Sequence, residues 1–257
     1  MSYLIDADYT VYKNCASAED EVDFGNDVIL VTSRFSEAYK RVERDIKKVQ
    51  DALGNFEDTV LFFSSSDNFR KKISPDYKGH RNRKKPCGYM RVINKLQENY
   101  EVVRMPTLEA DDALGIWATR DPGEHIIASP DKDMRQIPGK LYNLTDDVVD
   151  IDPDEAIRWH YIQTMAGDCT DGYSGISGVG IKRANQLLDD NGCSWQTVQD
   201  AFIDKGMTVD DALMNARLAR ILQHTDYDFN KQEPILWSPS NANVKADTGA
   251  RLQATTA

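Results

Sequence analysis

The chain has few cysteines: Cys15, Cys87, Cys169 and Cys193 form neither a CxxC pair nor the Cys/His spacing of a zinc site. A disulfide framework and a structural zinc centre are therefore excluded, and the fold must rest on its core. Long apolar runs are also missing. Val60-Leu61-Phe62-Phe63 is typical of the longest stretches, whereas a membrane helix needs about 20 apolar residues. The N-terminus lacks a basic region followed by an apolar signal core, so the expected setting is a reducing cytoplasm with no membrane partner. No internal repeat stands out. With 257 residues and 40% hydrophobic content, the chain is long enough for one large α/β domain, or a domain plus a smaller module.

Acidic residues outnumber basic ones, 42 against 31, for a formal net charge of −11, which argues against a polyanionic partner if charge is spread evenly. It is not. From Arg70 to Lys95 the chain carries Arg70, Lys71, Lys72, Lys78, Arg81, Arg83, Lys84, Lys85, Arg91 and Lys95, opposed only by Asp76. A solvated loop is the commoner meaning of a charge run. Here Tyr77, His80 and Tyr89 are interleaved with the cations and offer stacking surfaces, which favours phosphate and nucleic-acid contact. Pro75, Gly79, Pro86 and Gly88 predict turns and short helices projecting from the sheet.

Strand and helix patterns alternate through the first 150 residues. Tyr3-Leu4-Ile5 predicts a buried strand ending in Asp6-Ala7-Asp8, and Phe35, Tyr39, Val42, Ile46, Val49 and Leu53 recur at helical spacing before Gly54. Thr59 to Phe63, Glu101 to Arg104, His125 to Ala128 and Lys140 to Leu144 predict further strands. A helix capped by Thr107 should run to Asp121-Pro122-Gly123. From Asp152-Pro153 the pattern is helical, with further helices near Gly180 to Leu188 and Asp210 to Leu222, and residues 238–257 read as a flexible tail. The expected division is an α/β domain over 1–150, including a basic arch at about 70–95, and a helical module over 151–237.

Carboxylates fall in three tight groups: Glu109-Ala110-Asp111-Asp112, Asp131-Lys132-Asp133 and Asp168-Cys169-Thr170-Asp171. Each has an ordinary explanation. A first helical turn favours acids, and an Asp after Pro is usually a turn residue. In combination they predict several loops meeting at one all-oxygen site suited to a hard divalent ion such as Mg²⁺, because so many clustered carboxylates repel unless cations neutralise them. The third group runs into Ser177-Gly178-Val179-Gly180-Ile181-Lys182-Arg183, the form of a helix-hairpin-helix. There Gly178 and Gly180 would open backbone N–H groups to a phosphate, and Lys182 and Arg183 would add charge.

These residues resemble the flap endonuclease and 5′ nuclease superfamily, and within it the 5′-to-3′ exonucleases of short-tailed lytic bacteriophages. The resemblance is carried by Leu4-Ile5-Asp6, Tyr77-Lys78-Gly79-His80-Arg81, Leu108-Glu109-Ala110-Asp111-Asp112, Asp131-Lys132-Asp133, Gly167 to Gly175 and the Gly178-Val179-Gly180 hairpin. It implies a mostly parallel central sheet flanked by helices, a basic arch receiving the 5′ end, and a hairpin module gripping the duplex. Asp6, Glu109, Asp111, Asp112, Asp131 and Asp133 would surround two Mg²⁺ ions, with Mn²⁺ able to substitute, and Asp168 and Asp171 would hold the second. Lys78 and Arg81 would steer and polarise the scissile phosphate. Arg70, Tyr77, Lys84 and Lys85 would contact DNA along the arch, K⁺ would bind at the hairpin, and RNA–DNA hybrids would be a second substrate. A phage-encoded chain would act in the host cytoplasm.

The chain departs from the resemblance at one point. Relatives carry an acidic ligand at the end of the strand placed at Thr59 to Phe63, where this chain has Ser64-Ser65-Ser66 and then Asp67. Either Asp67 takes over through a shifted turn, or a serine holds the metal through water, and the first site would be weaker in both cases. The expected function is metal-dependent 5′-to-3′ exonuclease or flap endonuclease activity on duplex DNA. Two alternatives remain, a non-catalytic DNA-structure binder and an RNA-cleaving toxin nuclease. Length and the hairpin disfavour the latter.

Overall fold

The computed structural model describes residues 1–54, 58–80, 84–145 and 147–240. In chain order the elements are β1 (Ser2–Asp6), α1 (Ala7–Ala16), a hairpin of β2 (Glu19–Asp23) and β3 (Ile29–Ser33), α2 (Phe35–Leu53), β4 (Asp58–Phe62), α3 (Phe69–Ile73) and α4 (Tyr89–Leu96). Next come β5 (Glu101–Val103), α5 (Ala110–Arg120), β6 (His125–Ala128), a 3-10 turn at Lys132–Gln136, β7 (Gly139–Tyr142) and β8 (Val149–Ile151). The chain continues through α6 (Pro153–Ala166), α7 (Ile181–Asn191), α8 (Trp195–Ile203) and α9 (Val209–Ala219).

Six strands form one sheet in the order β5-β4-β1-β6-β7-β8, parallel except where β8 runs against β7. Burial explains why these segments are strands. Along β1, Tyr3 and Ile5 enter the core beneath α1, α2 and α4, while Leu4 enters the opposite core beneath α5. β4 and β6 alternate in the same way, Leu61 and Ile126 on one side and Val60 and Ile127 on the other. A strand buried on both faces has no polar face, which is why these runs read as continuously apolar. β1 is central, and the chain moves outward from it first to β4 and β5 and then, on the other side, to β6 and β7. The crevice at the carboxyl ends of β1 and β6 is therefore the topological switch point, where open α/β sheets collect ligands.

A separate core of Ile162, Met165, Leu188, Val198, Phe202 and Trp237 joins α6, α7, α8 and α9. The helix expected to reach Leu222 stops at Ala219, because Arg220 to Gln223 turn aside to bond with the α5 side of the sheet. Thr107 does not cap α5. It adopts a left-handed φ of 60° and its carbonyl accepts from Phe69 N (2.9 Å), while Glu109 takes the N-cap position. α1, the β2–β3 hairpin and α8 were not anticipated from periodicity. No helix among the described residues is long and apolar enough to cross a membrane.

Candidate active site

An open cleft of about 690 Å³ lies over the switch point, with carboxylates on most of its walls. Asp6 comes from the end of β1, Asp8 from the first turn of α1, Glu109 and Asp111 from the start of α5, Asp131 and Asp133 from the turn after β6, and Asp168 and Asp171 from the loop after α6. Two glycines set that loop. A Cβ on Gly167 (φ +67°) would meet Gly175 N at 2.0 Å, and one on Gly172 (φ +82°) would meet Asp76 O at 2.7 Å. Only glycine lets residues 76–78 dock on the loop, where Lys78 N donates to Asp171 O (2.7 Å).

That docking draws Lys78 inward. Its Nζ bonds Glu109 Oε1 and lies 3.5 Å from Asp171 Oδ2, while the Tyr77 hydroxyl sits between Glu109 Oε2 (2.8 Å) and Asp171 Oδ2 (3.0 Å). Burial favours neutral Lys78, but the Glu109 and Asp171 charges outweigh it and hold the ammonium above its ordinary pKa. Burial likewise pushes Glu109 up, yet Lys78 and Arg70 override it and bring the carboxyl down to about 2. Asp6, Asp111 and Asp133 behave oppositely. Burial and then Asp8 raise Asp6 to about 6, burial and then Asp131 raise Asp133 to about 6, and burial with Asp6 and Asp131 raises Asp111 well above the carboxylate range.

The donor set suits a hard divalent cation: all oxygen, self-repelling, and including Asp111, whose carboxylate makes no hydrogen bond to any described residue. Among the described residues no three acids form a ready cage. The groups stand apart with Lys78 between Glu109 and Asp171, and with Lys132 3.2 Å from Asp133 and 3.8 Å from Asp168. Acids set apart in this way suit a divalent cation that takes one or two carboxylates and completes its shell with other oxygen ligands.

Residues 1–160 match the family described as 5′-3′ exonuclease, N-terminal resolvase-like domain. The chain belongs to this 5′-3′ exonuclease family. It is 27% identical to the exonuclease of Escherichia phage T7 over 278 residues, covering 92% of this chain and 93% of that protein. It is also 27% identical to the exodeoxyribonuclease of Enterobacteria phage T3, covering 92% of each. Its fold is similar to that of the bacteriophage T5 D15 flap endonuclease in complex with DNA and metal ions, with a TM-score of 0.60, 12% identity, and 85% and 88% of the two chains covered. The catalytic core of Rad2 in complex with DNA substrate superposes with a TM-score of 0.53 at 14% identity, covering 95% of this chain and 84% of that one. The exonuclease family makes the chain a nuclease, and the likeness in fold agrees with a mostly parallel sheet flanked by helices.

Asp112 and Asp67 lie outside the cleft, and Arg70 and Tyr77, though part of its wall, are committed to protein partners. Asp112 is fully buried outside the cleft. Its Oδ1 accepts from Arg70 Nη2 (2.7 Å) and Leu222 N (3.2 Å), and its Oδ2 accepts from Arg70 Nη1 (2.7 Å) and Glu109 N (3.3 Å), so all four lone pairs are taken. It is a partner for Arg70 and has no lone pair left for a metal. Arg70 is itself 1% exposed and spends its five N–H groups on Asp112, Glu109, Leu218 O and Arg220 O, which removes it from DNA contact. Tyr77 is 2% exposed and cannot stack on a base. Asp67 faces outward: its Oδ1 accepts from Asn68 N (2.9 Å), its Oδ2 lies 3.8 Å from Lys72, and it does not line the cleft.

Lys85 reaches the cleft rim and Lys84 is exposed, whereas Arg81 lies outside the described residues. At the start of α7, Gly178 (φ +76°) and Gly180 present an open turn, with Lys182 and Arg183 exposed beside it. Asp8 and Lys132 line the cleft but were not singled out as site residues. The available signal was repetition: Asp6-Ala7-Asp8 has the same Asp-x-Asp form at a strand end as Asp131-Lys132-Asp133.

Proposed function

We propose that this protein hydrolyses phosphodiester bonds in duplex DNA from the 5′ end, as an exonuclease or flap endonuclease dependent on two divalent cations, with Mg²⁺ the natural ion and Mn²⁺ a substitute. The observation carrying this reading is the convergence of eight cleft carboxylates, Asp6, Asp8, Glu109, Asp111, Asp131, Asp133, Asp168 and Asp171, at the switch point of a sheet whose sequence matches the exonuclease family. Asp6, Glu109, Asp111, Asp131, Asp133, Asp168 and Asp171 are the proposed holders of the ions. When bound, such ions supply Lewis-acid stabilisation of phosphate oxygens and a water of lowered pKa.

The chain's own residues do the positioning. Lys78, kept charged by Glu109 and Asp171, offers an ammonium inside the cleft for a scissile phosphate, and the Tyr77 hydroxyl fixes the two carboxylates that hold it. Lys71 and Lys85 on the cleft wall, with Lys84 and Arg81 nearby in the chain, draw the strand end inward. The Gly178–Gly180 turn, with Lys182 and Arg183 in the first turn of α7, forms a helix-hairpin-helix that grips duplex backbone, K⁺ assisting. These are backbone contacts, so cleavage follows strand ends more than base sequence, and RNA in hybrids is a secondary substrate.

The test is nucleotide release from 5′-labelled and 3′-labelled linear duplex DNA in Mg²⁺ or EDTA, with Asp131→Ala beside the native chain. Early release of only the 5′ label, abolished by EDTA and by the substitution, is the expected result. Retained DNA binding with no release under any metal would favour the DNA-structure binder instead.

A further inference from the structure

Resting on the metal-nuclease reading above, we infer that Asp8 is a cation ligand of the cleft and supplies the carboxylate that the end of β4 lacks. The walls of the cleft differ in what they offer. The ends of β1 and β6, the start of α5 and the loop after α6 each present acids, while the chain leaving β4 presents Ser64, Ser65, Ser66 and Asn68 and no acid. The next acid along that wall, Asp67, is turned to solvent and Lys72. Yet β4 is the immediate neighbour of β1, so its end borders the crevice.

Asp8 fills this gap from the opposite element. Its Oδ2 accepts from Ser64 N (2.9 Å), the first residue after Phe63 at the mouth of β4, and its Oδ1 accepts from the Tyr89 hydroxyl of α4. The carboxylate thus lies against the β4 wall although it belongs to α1. An acid in a first helical turn needs no purpose beyond the helix dipole. Asp8 goes further, spending its hydrogen bonds on two other elements while its side chain stays 22% exposed in the cleft.

Lone-pair counting separates Asp8 from Asp67 and Asp112. Each carboxylate offers about four acceptor sites. Asp112 has all four occupied by N–H groups and is sealed from the cleft, and Asp67 is outside it. Asp8 has one hydrogen-bond donor on each oxygen, which leaves it acceptor capacity, and it lines the cleft together with Asp6. Orienting hydrogen bonds of this kind, from a tyrosine hydroxyl and a backbone amide, are what ligating carboxylates carry behind them. Lys85 Nζ, 4.0 Å from Asp8 Oδ1 and 4.4 Å above the Tyr89 ring, marks the same spot as one that attracts positive charge.

The experiment is Mn²⁺ binding to the full chain without DNA, followed by the free-Mn²⁺ EPR signal, for the native protein, Asp8→Asn, Asp67→Asn and the double variant Asp8→Asn/Ser64→Asp. Thermal melting of each in EDTA runs alongside. Asp8→Asn should weaken one class of Mn²⁺ sites by at least about tenfold, the lower edge of what losing even an outer-shell partner costs. Asp67→Asn should bind as the native chain does, and Ser64→Asp, which puts a carboxylate on the β4 end itself, should restore the lost affinity. Asp8→Asn with native Mn²⁺ affinity overturns the inference. So does weakened binding that Ser64→Asp fails to rescue and that comes with an equal loss of melting temperature in EDTA, since that marks Asp8 as a structural tie. A native chain that binds no Mn²⁺ would instead sink the metal-nuclease reading on which this rests.

Discussion

Replacing Asp112 by Asn keeps the shape of the side chain and removes one charge from the most enclosed ion pair among the described residues. Arg70 and Asp112 are 1% and 0% exposed, and every donor of the guanidinium and every acceptor site of the carboxylate is used. Solvent screening is therefore negligible. Breaking a buried pair from one side leaves the other charge uncompensated, at about 3–5 kcal/mol. For a chain of this size each kcal/mol moves Tm by roughly 2–4 °C, so Asp112→Asn should melt about 6–20 °C below the native protein. Melting is measured in EDTA, where neutralising a residue that acts only as a metal ligand does not lower Tm. Replacing both partners, as Arg70→Met with Asp112→Leu, should not recover the loss, because the carbonyls of Leu218 and Arg220 and the amides of Glu109 and Leu222 would lose their partners, at about 1–3 kcal/mol for each buried group left unsatisfied. An unchanged Tm for Asp112→Asn in EDTA, together with weaker Mn²⁺ binding, would refute the reasoning and return Asp112 to the metal site.

Gly115→Ala sets helix propensity against sterics in α5. Alanine would gain about 1 kcal/mol as a helix former, but its Cβ would fall 2.2 Å from Leu222 O, and overpacking of that kind costs about 1–3 kcal/mol. Urea unfolding should show net destabilisation, and a stabilised variant would refute the argument. The cleft acids carry a pH signature. Asp6 and Asp133 are raised from 3.8 to about 6, so the stability they contribute in the metal-free fold is complete below about pH 4 and is lost as pH rises through 6. At pH 7 in EDTA, Asp6→Asn and Asp133→Asn should each melt above the native chain, and Mg²⁺ should raise the native Tm more than theirs; lower melting of both variants would contradict this. Cys15 is buried and its thiol is pushed by burial from 9.0 up to about 11, so its contribution is intact below pH 9 and declines between 9 and 11. Cys15→Ala should flatten the loss of stability over that interval, and an identical pH profile would count against it.

Much of the architecture could be read from the chain because its strands are buried on both faces. Tyr3 to Ile5, Val60 to Phe63 and Ile126 to Ala128 had nothing polar to confuse their periodicity, and all three are strands or strand ends of the sheet. α1 escaped notice because it begins at Ala7 directly after β1 and mixes Thr10, Asn14 and Cys15 into its buried face. The acid groups that meet in the cleft were visible as Asp-x-Asp and Glu-x-Asp clusters, but which members face it was not. Glu109 and Asp112 lie three apart on α5, a spacing that puts them on one side of the helix. Tertiary contact then divides them: both bond Arg70, but Glu109 also takes Lys78 and Tyr77 on the cleft wall, while Asp112 is sealed by Arg70 and backbone amides. The basic run misled for the same reason. Arg70 and Tyr77 belong to a cationic, aromatic segment in sequence, yet each is drawn inside by a partner more than 30 positions away.

The position of Arg70 explains why the cleft needs both halves of the chain. The guanidinium is fixed by Asp112 and Glu109 from the sheet side and by the carbonyls of Leu218 and Arg220 from the end of α9. Gln136, just after the Asp131–Asp133 turn, repeats the pattern, donating to Ala219 O (2.7 Å) and accepting from Ile221 N (3.1 Å). The backbone from 218 to 222, the last residues of α9 and those just after it, thus presents carbonyl and amide groups whose partners come from side chains outside the helix, and those side chains neighbour the acids of the cleft. Asp168 and Asp171 reach the same cleft from the end of α6, which packs on α9 through Ala216 and the His160–Ala216 hydrogen bond (2.9 Å). Loosening these contacts would displace the acids of the α6 loop relative to those of β1 and β6. The distance between the two sets of carboxylates therefore depends on buried hydrogen bonds of Asp112, Gln136 and His160, none of which lines the cleft.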